Sequence, residues 1–459
     1  MKPLPRPGSI SVQLKQVRGP AAAESALTRI DPLDLSSLPE TALQRTRDFF
    51  GPDATPESSV LQMLRDVRAQ GDSAVRRYAK LLDDAELDNL QVPQSQLNAA
   101  WDDTPGDLKQ ALELAARRIT EFHEATLPRD WVDLGGGLGE LVRPLERVGL
   151  YAPGGTAAYP STVLMTAIPA RVAGVSEVVL ATPRRGSEPL NSTVLAAARI
   201  AGVDAVYQVG GVPAIGALAY GTESIRRVDK ICGPGNVFVA YAKRMVQGQV
   251  DIDGVFGPTE TIVLADQTAN PVFCAADLIA QAEHDPMASA ILVTDSDSLV
   301  ASVESELDVQ IAGNPRADTI RHSLERQGCV VLVDDFHEAV TVANRIAPEH
   351  LCLMAADPWA WAGQIRNAGG LFLGEFSPEV MGDYIAGPSH VMPTGGTARF
   401  SSALSVHHFL RTMPVVGLSP QRFSDLGPAA VRIAEAEGLP GHAGAVQARL
   451  DHIAAAQTR

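Results

Sequence analysis

The chain has 459 residues, with 38 Lys+Arg against 54 Asp+Glu and a formal charge of −16. That length allows two to four domains, and 45% hydrophobic with 20% charged residues is a globular composition, not a disordered one. The acidity argues against a nucleic acid or an anionic membrane as partner, since both need a basic face. Residues 1–38 are Pro-rich, lack periodicity and read as an extension. From Pro39 to about Arg129 apolar residues recur at helical spacing, among them Leu61, Leu64, Val67 and Val75, then Leu108, Leu112, Ala115 and Ile119. A Gly-rich turn at Gly135–Gly139 closes this helical part.

From Val148 onward short apolar strands alternate with helices. Strands are predicted at Val178–Ala181, Ala205–Val209 and Val228–Ile231, and helices at Ser192–Ala201, Ala214–Tyr220 and Val239–Met245. The pattern resumes with strands Ile262–Ala265, Ile291–Thr294, Val330–Val333, Leu351–Met354 and Leu371–Leu373. The intervening helices are Pro271–Ala282, His337–Asn344 and Trp359–Ala368. Strand, glycine turn and helix in repetition predict an α/β fold with two parallel-sheet domains, at about 136–255 and 256–380. Residues 39–135 form a helical N-terminal segment. Residues 381–459 form a loop and tail, with a helix near Ser424–Glu437.

The four cysteines, Cys232, Cys274, Cys329 and Cys352, are far apart and contain no C-x-x-C pair, which excludes a disulfide scaffold and a thiolate zinc site. No apolar run reaches the ~20 residues of a membrane span. The N-terminus lacks the apolar stretch of a secretory signal, so a cytoplasmic location is expected.

No G-x-G-x-x-G follows any strand, so the standard dinucleotide fingerprint is absent. Gly233-Pro234-Gly235-Asn236 still lies between a strand and a helix. It can bring backbone N–H groups to a phosphate or serve as a structural turn. Gln281 and His284 share one face at a helix end and read as metal ligands or as capping groups. Glu349-His350 follows Pro348 at the start of a strand, taken to be a C-terminal sheet edge, and is a candidate acid–base pair. Glu379, Asp383 and His390 fall in a long irregular segment of the kind that carries function. Glu437 and His442 lie in E-G-L-P-G-H at the end of the last helix. Cys232 reads better as a small buried hydrophobe than as a nucleophile.

Together these segments resemble the histidinol dehydrogenase family. The resemblance rests on P-L-E-R-V-G-L-Y-A-P-G-G from Pro144, D-K-I-C-G-P-G-N from Asp229 and D-L-I-A-Q-A-E-H-D from Asp277. It continues with A-P-E-H-L from Ala347, G-D-Y-I-A-G-P-S-H from Gly382, P-T-G-G-T-A-R-F-S-S from Pro393 and E-G-L-P-G-H from Glu437. The resemblance implies a zinc- and NAD-dependent enzyme that oxidises L-histidinol via L-histidinal to L-histidine, the last two steps of histidine biosynthesis. It further implies incomplete Rossmann-like domains and a homodimer whose C-terminal tail completes the partner's site. By matching positions it places zinc on Gln281, His284, Asp383 and His442, with His350 as base and Glu349 activating water. Thr259, Glu379, His390 and Glu437 fall at substrate contacts, and Tyr151 and Asn236 at NAD contacts.

Pro213 stands at a third NAD position where the family commonly has Gln, and it offers neither side-chain donor nor N–H. Thr259 replaces a frequent Ser, and Ser389 a frequent Asn. A relative acting on another zinc-anchored alcohol, such as a sulfonated diol, is the alternative reading. A zinc hydrolase using Glu349 and metal-bound water, or a non-catalytic metal-binding protein, are the readings from other classes.

Overall fold

The structure, a computed structural model, describes residues 12–26, 29, 33, 35, 38, 40–154 and 159–457. Residues 1–11 of the expected extension and the end of the P-G-G segment, from Gly155, lie outside the described residues. The chain divides into two compact units, Met1–Thr126 with Leu145–Phe409, and Leu127–Pro144 with Leu410–Arg459.

The first unit holds two six-stranded sheets with helices on their faces, the α/β architecture the alternation predicts. In the first sheet the order is Gln91–Val92, Ala205–Tyr207, Glu177–Ala181, Arg147–Tyr151, Lys230–Cys232, Asp251–Ile252. All neighbours are parallel except the edge strand Gln91–Val92. The chain leaves Arg147–Tyr151 towards one edge and returns to build the other half from Lys230–Cys232. This is a topological switch point, where α/β sheets open a ligand crevice.

The second sheet is wholly parallel, in the order Lys15–Arg18, Cys329–Leu332, Ser289–Thr294, Glu260–Ala265, His350–Met354, Gly370–Leu373. Its central strands are buried on both faces, which explains their continuous apolar runs. Val263, Leu292, Val330 and Cys352 pack on one face with Leu278, Val303 and Leu324; Ile262, Leu264, Val331 and Leu353 pack on the other with Val340 and Ala343. The strand Lys15–Arg18 arises from the segment read as an extension; four mixed residues carry too little alternation to reveal it.

Three helical readings change. Pro160–Val172 is a helix that the sequence pattern does not reveal, because it is apolar all round and its 3.6 period disappears. Trp359–Ala368 shortens to Pro358–Ala362. Between Ser289–Thr294 and Cys329–Leu332 the crossover contains two helices, Asp297–Ile311 and Ala317–Gln327.

The second unit is an antiparallel sheet, ordered Leu410–Val416, Leu138–Pro144, Trp131–Asp133, with two helices, Pro420–Ala436 and Pro440–Gln457. Residues 127–135, read as the end of the helical segment, and 136–144, read as the start of the first parallel domain, thus join the C-terminal tail. Among its described residues, Ala443 provides the only buried side chain, while Trp131, Val132, Leu134, Met413 and Val416 are exposed.

Candidate active site

The strands Glu260–Ala265 and His350–Met354 run parallel, with Thr261 opposite His350 and His350 opposite Gly370. Parallel strands all begin on one edge. His350 opens its strand, so the Glu349-His350 pair sits at the amino-terminal edge of this sheet, opposite to the edge expected. The helix Pro271–Ala282 carries the chain back from the far edge, and its last turn brings Gln281 beside Thr261.

His350 is buried. Its Nδ1 lies 3.4 Å from Thr261 Oγ1 and 3.8 Å from both Glu349 Oε2 and Glu379 Oε2; its Nε2 lies 3.8 Å from Asp383 Oδ1 and has no hydrogen-bond partner. Glu349 Oε2 accepts from Thr259 Oγ1 at 2.5 Å and from the Glu260 amide at 3.2 Å. Both donors fall on one oxygen, so Oε1 is the oxygen left for a proton or a water. Glu260 is in turn paired with Arg29 at 2.8 Å.

The segment expected to be irregular contains a helix, Glu379–Tyr384, too short for periodicity to show. Glu379 and Asp383 stand at i, i+4 on one of its faces, and Glu379 is only 1% exposed. Thr261 Oγ1 donates to Glu379. His390 meets the Asp383 carbonyl at 2.9 Å through Nδ1 and Thr162 Oγ1 at 3.3 Å through Nε2.

Burial dominates the electrostatics. It pushes the Glu349 carboxyl up to about 8 and Asp383 up to about 7, and holds Glu379 well above the ordinary carboxyl range. Burial, reinforced by the neighbouring His284 and His390, lowers His350 to about 3, so its imidazole is neutral. Three carboxyl groups around one neutral imidazole form a site that gains by taking up a cation.

Gln281 fits that need. Its Oε1 lies 2.9 Å from Thr261 Oγ1, while its buried Nε2 has no partner. The two amide orientations are set by the hydrogen-bond network. Turned by 180°, Nε2 donates to Thr261, whose own proton goes to Glu379, and Oε1 becomes the buried, unpartnered oxygen. An amide oxygen, a carboxylate and imidazoles form a donor set zinc accepts. Among the described residues no group of three or more His, Cys, Asp and Glu side chains is gathered to hold a metal. The expected set includes the amide of Gln281 and also His442, which belongs to the second unit. There Glu437 caps the helix Pro420–Ala436, and His442 lies in the first turn of the next helix, not at the end of the last one. Both are exposed, as is His284.

The three positions expected to contact NAD lie at the carboxyl edge of the first sheet. Tyr151 ends the strand beside the switch point and is buried; its hydroxyl accepts from the Gly211 amide at 3.0 Å. Pro213 is buried in the first turn of the helix Gly211–Tyr220. With the Gly211 N–H engaged and none on Pro213, this helix start has few donors for a phosphate. The Gly233–Asn236 turn is better suited. Gly233 has φ +116°, and a Cβ there would come within 2.1 Å of the Tyr151 carbonyl oxygen, while Asn236 accepts from the Val239 amide at 3.1 Å as a helix cap.

A family model described as histidinol dehydrogenase matches residues 52–450. The chain belongs to the histidinol dehydrogenase family. A histidinol dehydrogenase of Dehalococcoides mccartyi is 47% identical over 439 residues, 95% of this chain and 100% of that protein. One of Deinococcus radiodurans is also 47% identical, with the same shares covered. The crystal structure of histidinol dehydrogenase from Elizabethkingia anophelis superposes with a TM-score of 0.89 at 32% identity, covering 97% of this chain and 100% of that one.

Membership of the histidinol dehydrogenase family makes the chain an oxidoreductase of histidine biosynthesis. Sequence reasoning missed three groups at the site: Thr261, Thr162 and the Arg29–Glu260 pair. Threonine is an ordinary strand residue, so Thr261 gave no sign that its hydroxyl meets Gln281, Glu379 and His350. Arg29 and Glu260 are 231 residues apart, and no local pattern links them.

Proposed function

We propose that the chain oxidises L-histidinol through L-histidinal to L-histidine, reducing two NAD per substrate, as a zinc-dependent homodimer. The observation that carries this reading is the neutral imidazole of His350, its Nε2 without a hydrogen-bond partner, set among Glu349, Glu379 and Asp383. A buried lone pair beside carboxyl groups is suited to take a hydroxyl proton.

His350 Nε2 removes the proton of the substrate hydroxyl as a hydride leaves the adjacent carbon. With Nδ1 protonated and facing Thr261, Glu349 and Glu379, the imidazolium that forms is stabilised by two carboxyl groups. In the second half-reaction the ionised form of Glu349, which gains population as pH rises towards about 8, takes through Oε1 a proton from the water that adds to the aldehyde. Once His350 has released its first proton to solvent, hydride loss from the hydrate, again with His350 as base, gives the carboxylate product. Thr259, Glu379, His390 and Glu437 are assigned to hold the substrate. Gln281, His284, Asp383 and His442 would hold zinc, which supplies a borderline-hard cation that anchors the substrate's imidazole and amine nitrogens. NAD supplies the hydride acceptor, held beside Tyr151 and the Gly233–Asn236 turn, with Pro213 contributing no hydrogen bond.

The second unit supports a homodimer. A sheet and two helices with one buried side chain lack a core of their own, and the exposed Trp131, Leu138 and Val416, which the register puts on one face of the sheet, offer apolar surface for a partner copy. All four cysteines are free, which supports a reducing, cytoplasmic setting. The test is NADH formation from L-histidinol with zinc, with chelator, and with zinc restored. Zinc-dependent turnover supports the reading; turnover of a sulfonated diol with none of L-histidinol overturns it.

A further inference from the structure

Lys243 and Asp253 form an ion pair with side chains 2% and 1% exposed. Burying two charges is expensive, and a buried pair is weak evidence of a stabilising role. A reason for this one lies in what else it touches. Asp253 Oδ2 accepts from the Gly233 amide at 2.6 Å, and Oδ1 from the Gly254 amide at 2.9 Å. Lys243 Nζ donates to the Gly233 carbonyl at 3.0 Å and lies 4.9 Å from the centre of the Phe256 ring. The pair therefore satisfies both backbone polar groups of Gly233, a residue at φ +116° where the Tyr151 carbonyl oxygen occupies the space a Cβ would need.

We propose that Lys243 and Asp253 are positioning residues that hold the Gly233–Asn236 turn in the shape that receives NAD. This rests on the assignment of that turn to the cofactor. Glycine at such a φ has wide freedom, so the turn needs an external clamp, and the buried pair provides one on each of the two peptide groups that flank the Gly233 α-carbon. Asp253 also lies in the segment that leads from the first sheet into Phe256, Gly257 and Thr259 at the substrate side. The pair thus fixes the cofactor turn to the chain that begins the second sheet.

The test uses the full-length enzyme and three variants: Lys243→Met, Asp253→Asn and the double variant, which leaves no unpaired buried charge. The Kd for NAD is expected to rise tenfold or more in the double variant, with zinc content and the Kd for L-histidinol unchanged. Asn236→Asp, which places a negative charge at the turn, tests the assignment separately. Weakened NAD binding there, with wild-type affinity in the double variant, overturns the positioning role alone. Unchanged NAD affinity in Asn236→Asp removes the cofactor from the turn and overturns both. Hydrogen exchange on the wild-type, NAD-free protein does not depend on any variant folding. The Gly233 amide should be protected like the sheet amides, and exchange at the rate of an open loop would contradict the clamp.

Discussion

Thr261 faces His350 across two parallel strands, its hydroxyl 3.4 Å from the imidazole Nδ1 and 2.9 Å from the Gln281 side-chain amide. One hydroxyl therefore touches the proposed base and a proposed zinc ligand. Thr261→Val keeps the shape and removes the hydrogen bonds. Zinc affinity, measured by competition with a chromophoric chelator, should fall by roughly 10- to 100-fold, and Thr261→Ser should restore it. Wild-type affinity in Thr261→Val would separate Thr261 from Gln281.

The division of labour between the adjacent acid and base is testable with each substrate in turn. His350→Ala should slow oxidation of both L-histidinol and L-histidinal by roughly 10²- to 10⁴-fold. Glu349→Gln should slow the second oxidation much more than the first, since water enters only there. Single-turnover NADH formation from each substrate reads both effects, and equal losses would merge the two roles.

If the tail of one subunit serves its partner, a hybrid dimer should rescue two dead parents. Co-expressed His350→Ala and His442→Ala chains place one intact His350 with one intact His442 in a single site. Activity should return to about half the wild-type value per hybrid dimer, as expected for an exchanged element in a two-fold assembly. No recovery would place His442 in its own subunit's site or outside the site altogether.

His123, in the helix Gly106–Ala125, is buried with neither ring nitrogen hydrogen-bonded, and burial lowers it to about 4. The unfolded histidine titrates near ~6.5. The unfolded state thus binds the extra proton first, and stability falls as pH drops from about 6.5 towards about 4. His123→Leu should flatten the acid side of the urea-midpoint profile. An unchanged slope would assign the acid sensitivity to other groups.

What the sequence disclosed follows from which signals are local. The strands of the two parallel sheets were legible because both their faces are buried and their apolar runs are unbroken, as in Val178–Ala181 and Ile291–Thr294. Glu349, His350, Gln281 and Asp383 were legible through short motifs, and the structure gathers all four at one sheet edge. The direction of that edge was not legible, since it depends on strand order and parallel pairing. Thr261, Thr162 and Arg29 were hidden because their partners are distant in the chain. The antiparallel unit was missed because Leu138–Pro144 and Leu410–Val416, which pair in space, are separated by most of the protein.

Product stoichiometry tests the four-electron oxidation at His350 and Glu349 most directly. With limiting L-histidinol and excess NAD, the zinc-loaded enzyme should yield two NADH and one L-histidine per substrate, with no free aldehyde. One NADH per substrate, with L-histidinal accumulating, would contradict it.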